Sequence, residues 1–343
     1  MKVGLVGYQG CGKSTVFQLL TGIEPDLSKA HSGQVGVATI PDHRFDRLCD
    51  LYQPKKQTPA KIELLDTPGL SRDEHQANAQ KLGVIREAHA LVHIIGAYAG
   101  ADVRAEAAAF IDDLVLADLQ VVSNRVERLH RDVKKPRPDR DELKAELEAL
   151  FPIAAKLEAG DTVQEMEFSE SQQKATRSFA LLTRKQRLIV LNTADADVEP
   201  AVANVLIGEG HAVVAAPFGL ELELQDFPED EQAEFAAEMG IGEASRDRLL
   251  RAIFEVTEQI TFYTCETKEV HAWLLKRGAT ALEAADTIHS DIARGFIRAE
   301  IMSSNDLLRL GSERALKAAG LHHVEARDYV VQDGDEIFVR FNV

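Results

Sequence analysis

The 343-residue sequence has only three cysteines. Cys11, Cys49 and Cys265 are widely spaced and odd in number, so neither a disulfide framework nor a metal cluster is expected. It also lacks any apolar run approaching the roughly 18 residues of a membrane span. Its first residues, MKVGLVGYQG, are too short and glycine-rich for a signal peptide. A cytoplasmic protein with no membrane partner is expected. Positive charge is scarce: 39 Lys and Arg stand against 56 Asp and Glu, a net charge of −17. Between Leu188 and Ser245 there is no lysine or arginine at all. This balance excludes a protein that coats nucleic acid non-specifically.

Cations do gather in one place. Arg125, Arg128, Arg131, Lys134, Lys135, Arg137 and Arg140 are diluted only by Glu127, Asp132 and Asp139. A basic tip on an acidic body suits docking to one specific polyanion such as structured RNA; a solvated charged turn is the competing reading.

The first part of the chain alternates strand-like and helix-like patterns. Lys2 to Val6, Lys61 to Leu65, Ala90 to Ala97, Arg187 to Leu191 and Ala212 to Ala216 read as buried strands, and Lys13 to Leu20 as a helix. Such alternation predicts a mostly parallel sheet covered on both faces. Between these strands, Ile111, Val115, Leu119, Val122, Val126, Leu129 and Val133 form a helical seam, and Pro136 and Pro138 stop it. A second seam, Leu143, Leu147, Leu150 and Leu157, predicts an antiparallel helical hairpin tipped by the basic cluster, with Pro152 kinking its second arm. Ser169 with Gln172 and Thr280 with Glu283 read as capping boxes. After Ile260 the pattern becomes a small β-plus-helix domain. Thr261 to Cys265, Val270 to Leu275 and Ile297 to Met302 read as strands, and Tyr329 to Phe341 as a hairpin turning at Gln332 to Asp335. The expected domains are residues 1–105 with 182–260, a helical insertion 106–181, and 261–343.

The chemistry-bearing signal is Gly7-Tyr8-Gln9-Gly10-Cys11-Gly12-Lys13-Ser14, a GxxxxGK[ST] loop between a strand and a helix. Its glycines let backbone N–H groups face phosphates, and the helix N-terminus adds a favourable dipole. Lys13 is expected on the β- and γ-phosphates and the Ser14 hydroxyl on Mg²⁺. The nucleotide-contacting run is Gln9, Gly10, Cys11, Gly12, Lys13, Ser14 and Thr15. Asp66-Thr67-Pro68-Gly69 follows a second strand, placing Asp66 near the metal's hydration shell and the Gly69 N–H near a γ-phosphate. Asn192-Thr193-Ala194-Asp195 follows a third strand where GTPases read the base, but Thr193 replaces the usual lysine; an Asx turn is the alternative. Three motifs in this order predict a P-loop NTPase, with Lys13, Asp66 and Gly69 catalytic, Ser14 and Asp66 on the metal, and Asn192 and Asp195 at the base.

With these motifs in place, the chain resembles the Obg-like ATPase (YchF) family. Gly36-Val37-Ala38-Thr39-Ile40-Pro41-Asp42 resembles the segment after the family's first switch, and Leu116-Ala117-Asp118-Leu119 lies where the family has its coiled-coil arm. Lys268 to Trp273, Gly295 to Glu300, Asp328 to Asp335 and Phe341-Asn342-Val343 resemble its TGS domain, a β-grasp module found also in threonyl-tRNA synthetases and stringent-response enzymes. The resemblance implies an α/β fold: a Ras-like P-loop domain with an inserted antiparallel helical hairpin and a C-terminal ubiquitin-like β-grasp (TGS) domain. It also implies nucleotide hydrolysis, ribosome association and a preference for ATP over GTP. The chain departs from the family at Gly10, where an asparagine helps related potassium-stimulated enzymes hold a monovalent cation. Ala30 stands near the first-switch threonine, with Thr39 read as the start of a strand, and Asp195 replaces a glutamate.

Hydrolysis is expected to be slow, because Leu70 occupies the place of a water-positioning glutamine. His75 and Gln76 are candidates to reach the γ-phosphate, against a solvated switch loop; His31 has no evident partner. Cys11 is either a thiol activated by Lys13 and the helix N-terminus or a small buried gap-filler. Trp273 and Phe296 read as β-grasp core. The expected function is Mg²⁺-dependent binding and slow hydrolysis of ATP or GTP by a ribosome- or RNA-associated switch. The alternative is a nucleotide-stabilised adaptor with negligible turnover.

Overall fold

The computed structural model describes residues 1–29, 32–72, 75–98, 101–194, 200–225, 227–238 and 245–342. The first strands are β1 (Lys2–Val6), β2 (Gln34–Thr39), β3 (Lys56–Thr58), β4 (Lys61–Asp66), β5 (Ala90–Gly96), β6 (Gln186–Asn192) and β7 (Val213–Ala216). Among them lie helices α1 (Lys13–Thr21), α2 (His43–Tyr52), α3 (His75–Ile85), α4 (Val103–Asp132), α5 (Arg140–Glu158), α6 (Glu170–Thr176) and α7 (Pro200–Gly208). After β7 follow α8 (Phe218–Leu224), α9 (Glu229–Glu238) and α10 (Ser245–Val256). Chain packing gives two compact units, Met1–Gly36 with Glu63–Arg248, and Val37–Ile62 with Leu249–Val343.

The first sheet runs β2-β4-β1-β5-β6-β7. β1 pairs in parallel with β4 and β5, and β5, β6 and β7 continue in parallel. Every residue of β5 is buried, the pattern of a strand covered on both faces. Thr39 ends β2 rather than starting a strand, because buried and exposed positions alternate from Gln34 up to Thr39.

α4 does two jobs along its 30 residues. Its N-terminal turns pack on the sheet region: Val103 and Ala107 join Ile95, Ile189 and Leu191, while Phe110 and Leu114 join Val6, Leu82 and Ile85. From Ile111 to Leu129 the expected seam packs with Leu143, Leu147, Leu150 and Leu157 of α5. The hairpin is therefore rooted in the sheet by the first turns of its own helix. Pro152 sits inside α5, and Ser169 with Gln172 makes the reciprocal capping box that opens α6. Arg86, just after α3, bonds Asp118 on α4 at 2.7 Å. Fully buried Asp118 also accepts from Leu182 N, Thr183 N and the Thr183 hydroxyl at 2.8–3.0 Å. Among the described residues no helix is long and apolar enough to cross a membrane.

The second unit contains β8 (Gln259–Cys265), β9 (Glu269–Lys276), β10 (Phe296–Ser303), β11 (His323–Glu325) and β12 (Asp335–Phe341). Its helices are α11 (Ala281–Ile288), α12 (Ser290–Arg294), α13 (Ser304–Leu310) and α14 (Glu313–Ala318). The order is β11-β10-β12-β8-β9-β3. Parallel β12 and β8 lie between antiparallel neighbours β10 and β9, and Ala281, Ala284 and Ala285 of α11 pack with Phe262 and Ile337. This is a β-grasp. Trp273 and Phe296 pack against that core, as the strand patterns require. β3 extends the sheet through parallel pairing with β9, which draws residues 37–62 into this unit.

Tyr329 to Phe341 does not form the expected hairpin. Only Asp335–Phe341 is a strand, and β12 already has β10 on one edge and β8 on the other. With no free edge for it, the preceding segment bonds the loop before α11 instead, through an isolated Thr280–Val330 bridge and Val331 N to Ala279 O at 3.0 Å.

Candidate nucleotide site

The loop after β1 turns sharply into α1, and glycine is required at two points. Gly7 has φ 146°, and a Cβ there would strike the Ile94 carbonyl; Gly12 has φ 94°, and a Cβ would strike the Asn192 amide. Gly12 is the N-cap of α1 and offers no side-chain cap, so the first amides of the helix keep their N–H groups for an anion.

Lys13 and Ser14 occupy the first turn of α1. The buried Lys13 ammonium is parked on the loop itself, 2.8 Å from the Tyr8 carbonyl and 3.7 Å from Cys11 Sγ. Ser14 Oγ donates to Asp66 Oδ2 at 2.8 Å. Asp66 Oδ1 is buried and has no hydrogen-bond partner. Burial pushes the Asp66 carboxyl upward, opposed by the Ser14 hydrogen bond and the Lys13 charge. A hydroxyl beside a buried carboxylate oxygen with no partner is a donor set that suits a hard cation such as Mg²⁺. Thr15 is half-buried in the same turn.

Gly69 lies where a Cβ would stand 3.0 Å from the Lys13 ammonium and 3.0 Å from Gln9 Cγ. Leu70 N bonds Gly7 O at 3.1 Å and Gln9 N bonds Leu70 O at 3.0 Å, so the Asp66–Leu70 segment is stitched to the phosphate loop. Leu70 itself is fully buried among Val6, Tyr8, Leu82 and Ile85, and its side chain cannot face a water at the cavity. The cavity, about 210 Å³, is lined by Gln9, Gly10, Lys13, Ser14, Asp66, Thr67, Pro68 and Gly69, and on a further wall by Pro25, Asp26, Lys29 and Gln34.

Asn192, at the end of β6, turns its Nδ2 to the Cys11 carbonyl at 3.2 Å, while its buried Oδ1 has no partner. It thus braces the phosphate loop. Asp195 lies outside the described residues, as do Ala30 and His31; the side chains of His75 and Gln76 do too. Cys11 is buried, and burial pushes its thiol up despite the partial offset from Lys13. Of the two readings of Cys11, burial supports the small gap-filler.

Several contacts here carry no motif. Buried Asn78 of α3 clasps the Ser71 backbone, donating to its carbonyl at 3.0 Å and accepting its N–H at 2.9 Å. Lys81, one turn on, donates to the Gly69 carbonyl at 2.8 Å. The Tyr98 hydroxyl donates to the Gly10 carbonyl. At the hairpin tip, Arg125 is held by both oxygens of Glu146, and Lys135 and Arg137 by Asp132 and Asp139. The tip is less positive than its composition suggests.

Comparison with known proteins adds to this geometry. The family model described as 50S ribosome-binding GTPase matches residues 2–125. The YchF GTPase C-terminal model, described as a protein of unknown function, matches residues 259–342. The chain is 33% identical over 368 aligned positions to the ribosome-binding ATPase YchF of Bacillus subtilis, covering 100% of both. It is 33% identical to Obg-like ATPase 1 of Oryza sativa subsp. japonica, covering 100% of this chain and 92% of the relative. The solved YchF GTPase of Schizosaccharomyces pombe has the same fold, with a TM-score of 0.81 at 23% identity, over 99% of this chain and 97% of that one.

Proposed function

The chain belongs to the YchF, or Obg-like, ATPase family of P-loop NTPases, and from that premise we propose that it is a slow, Mg²⁺-dependent nucleotide switch that associates with the ribosome. One observation carries the site assignment: Ser14 and Asp66 meet at 2.8 Å beside Lys13, on the wall of the cavity that Gly69 also lines. Lys13 exchanges the Tyr8 carbonyl for the β- and γ-phosphates. The helix α1 amides receive phosphate oxygens, and the Gly69 N–H reads the γ-phosphate. Ser14 and Asp66 would hold Mg²⁺, which when bound supplies charge neutralisation to the phosphate chain. Asn192 keeps the phosphate loop in register at the base side, and Asp195 is proposed at the base, with ATP or GTP as the occupant.

The proposed division is residues 1–105 with 182–260 for nucleotide, 106–181 for the hairpin and 261–343 for the TGS domain, with 37–62 and 249–260 packing in the second compact unit. Ribosome association, carried in the names of the bacterial relatives, would use the hairpin and the TGS domain. Arg131 and Lys134, exposed at the hairpin tip, make no ion pair among the described residues and are the cations best placed for RNA phosphate. The protein would act in the cytoplasm.

The buried Leu70 favours a second reading, an adaptor that holds nucleotide without turnover. Single-turnover phosphate release separates the two. A switch releases phosphate clearly above a Lys13→Ala control, and an adaptor does not exceed it.

A further inference from the structure

The part of the cavity wall formed by Pro25, Asp26, Lys29 and Gln34 is held by hydrogen bonds of its own. Asp26 N donates to Gln34 Oε1 at 2.7 Å, and Gln34 Nε2 donates to Glu24 O at 3.1 Å, with Gln34 itself buried. Within the turn, Lys29 N bonds Asp26 O at 2.9 Å, and Ser32 N and Gly33 N both bond Lys29 O, at 3.1 and 2.9 Å. The Lys29 backbone is therefore fixed, and its side chain lines the same cavity as Lys13, Ser14, Asp66 and Gly69.

We infer that Lys29 is a second cation for the γ-phosphate, exchanging its carboxylate partner for the triphosphate as the transferring group loosens. The assignment rests on the cavity being the triphosphate site. Lys13 and Lys29 are the two cationic side chains on its lining among the described residues. A triphosphate keeps excess negative charge after one divalent cation and one lysine. Phosphoryl transfer gains most from a positive group supplied where that charge shifts.

Lys29 is in reserve. Its ammonium lies 3.6 Å from Asp26 Oδ2, with both side chains about half exposed, at 51% and 42%. Such a pair is weak and easily exchanged. The Asp26 carboxylate does not depend on Lys29 alone: hydrogen bonds from the Ser28 hydroxyl and N–H are the larger causes that hold its pKa low, and Lys29 adds to them. Releasing the lysine thus leaves no orphaned charge.

The test uses the full chain with Lys29→Met and Lys29→Arg, and with ATP and ADP, or GTP and GDP where these bind tighter. Lys29→Met is expected to lower the single-turnover rate by about ten- to a hundredfold while ADP affinity changes less than about twofold. Lys29→Arg should recover most of the rate. Where wild-type turnover is too slow to resolve, the affinity for ADP with aluminium fluoride takes its place, with the same expected loss. A wild-type rate in Lys29→Met overturns the inference. So does an equal loss of ADP affinity, which would make Lys29 a support of the turn or a general phosphate holder. A Lys13→Ala control that still binds both nucleotides would instead show that the cavity itself is misassigned.

Discussion

Ser14 donates its hydroxyl to Asp66 Oδ2 at 2.8 Å, although the two residues are 52 positions apart. The contact exists because β1 and β4 are parallel neighbours, with Leu5 in register with Asp66. The phosphate loop leaves the end of one strand and the Asp66 loop leaves the end of the other. In an open parallel sheet, that end is where ligands bind. The donor pair is thus a product of topology, and the chemistry at the site follows from it.

Gly69 offers a direct check on the γ-phosphate side. A Cβ there would stand 3.0 Å from the Lys13 ammonium and 3.1 Å from Gln9 Cα. The ammonium can move aside, but backbone cannot. Gly69→Ala is expected to weaken triphosphate binding by about tenfold more than diphosphate binding. Parallel titrations of ATP and ADP measure it, and equal losses would remove Gly69 from the γ-phosphate.

Asp118 joins the root of the hairpin to the nucleotide-bearing sheet. It is fully buried and accepts from Arg86, from two backbone N–H groups and from Thr183. Asp118→Ala strands the Leu182 and Thr183 donors, while Arg86 keeps the carbonyls of Ala117, Phe179 and Ala180, and the change should cost about 3–5 kcal/mol. Thermal denaturation should show a Tm lower by roughly 10 °C. A shift of only a degree or two would mean that the node is solvated in solution.

The second unit should carry a pH dependence of its own. The Tyr52 hydroxyl lies 2.8 Å from Glu336 Oε1 and 3.1 Å from Glu313 Oε1, yet it has one proton to donate. Burial pushes Glu336 up to about 7, helped by repulsion from Glu313 and opposed by Tyr52, Lys317 and Cys265. The folded chain therefore keeps a proton that the unfolded chain releases near 4.5. Stability from this group is full below about pH 4.5 and is lost as the pH rises through about 7, a difference of up to about 3 kcal/mol. Urea unfolding at pH 5 and pH 8 should show Glu336→Gln with a smaller pH difference than wild type. An unchanged difference would contradict the assignment.

The phosphate loop, Asp66 and Gly69 were legible because their physics is local. An apolar run must be a buried strand, and glycines must follow where the backbone itself binds. The hairpin was legible because a seam from Ile111 to Leu129 has a helical period. The Asp26–Gln34 contact, Asn78 and Lys81 were not, because single polar contacts have no period. Nor did the sequence foretell that β3 joins the second unit. Its three residues, Lys56, Gln57 and Thr58, show no apolar alternation, and their pairing with β9 is through backbone. The failed hairpin before β12 has the same origin: turn residues announce a reversal, but which edge is free is decided by the whole sheet.

The central claim is that Lys13, Ser14 and Asp66 form a nucleoside-triphosphate site, and equilibrium titration with ATP and with GTP in Mg²⁺, wild type beside Lys13→Ala, tests it most directly. The account predicts saturable binding of at least one triphosphate by the wild type, weakened by about ten- to a hundredfold in Lys13→Ala. Equal affinity of the two proteins for that triphosphate would contradict it.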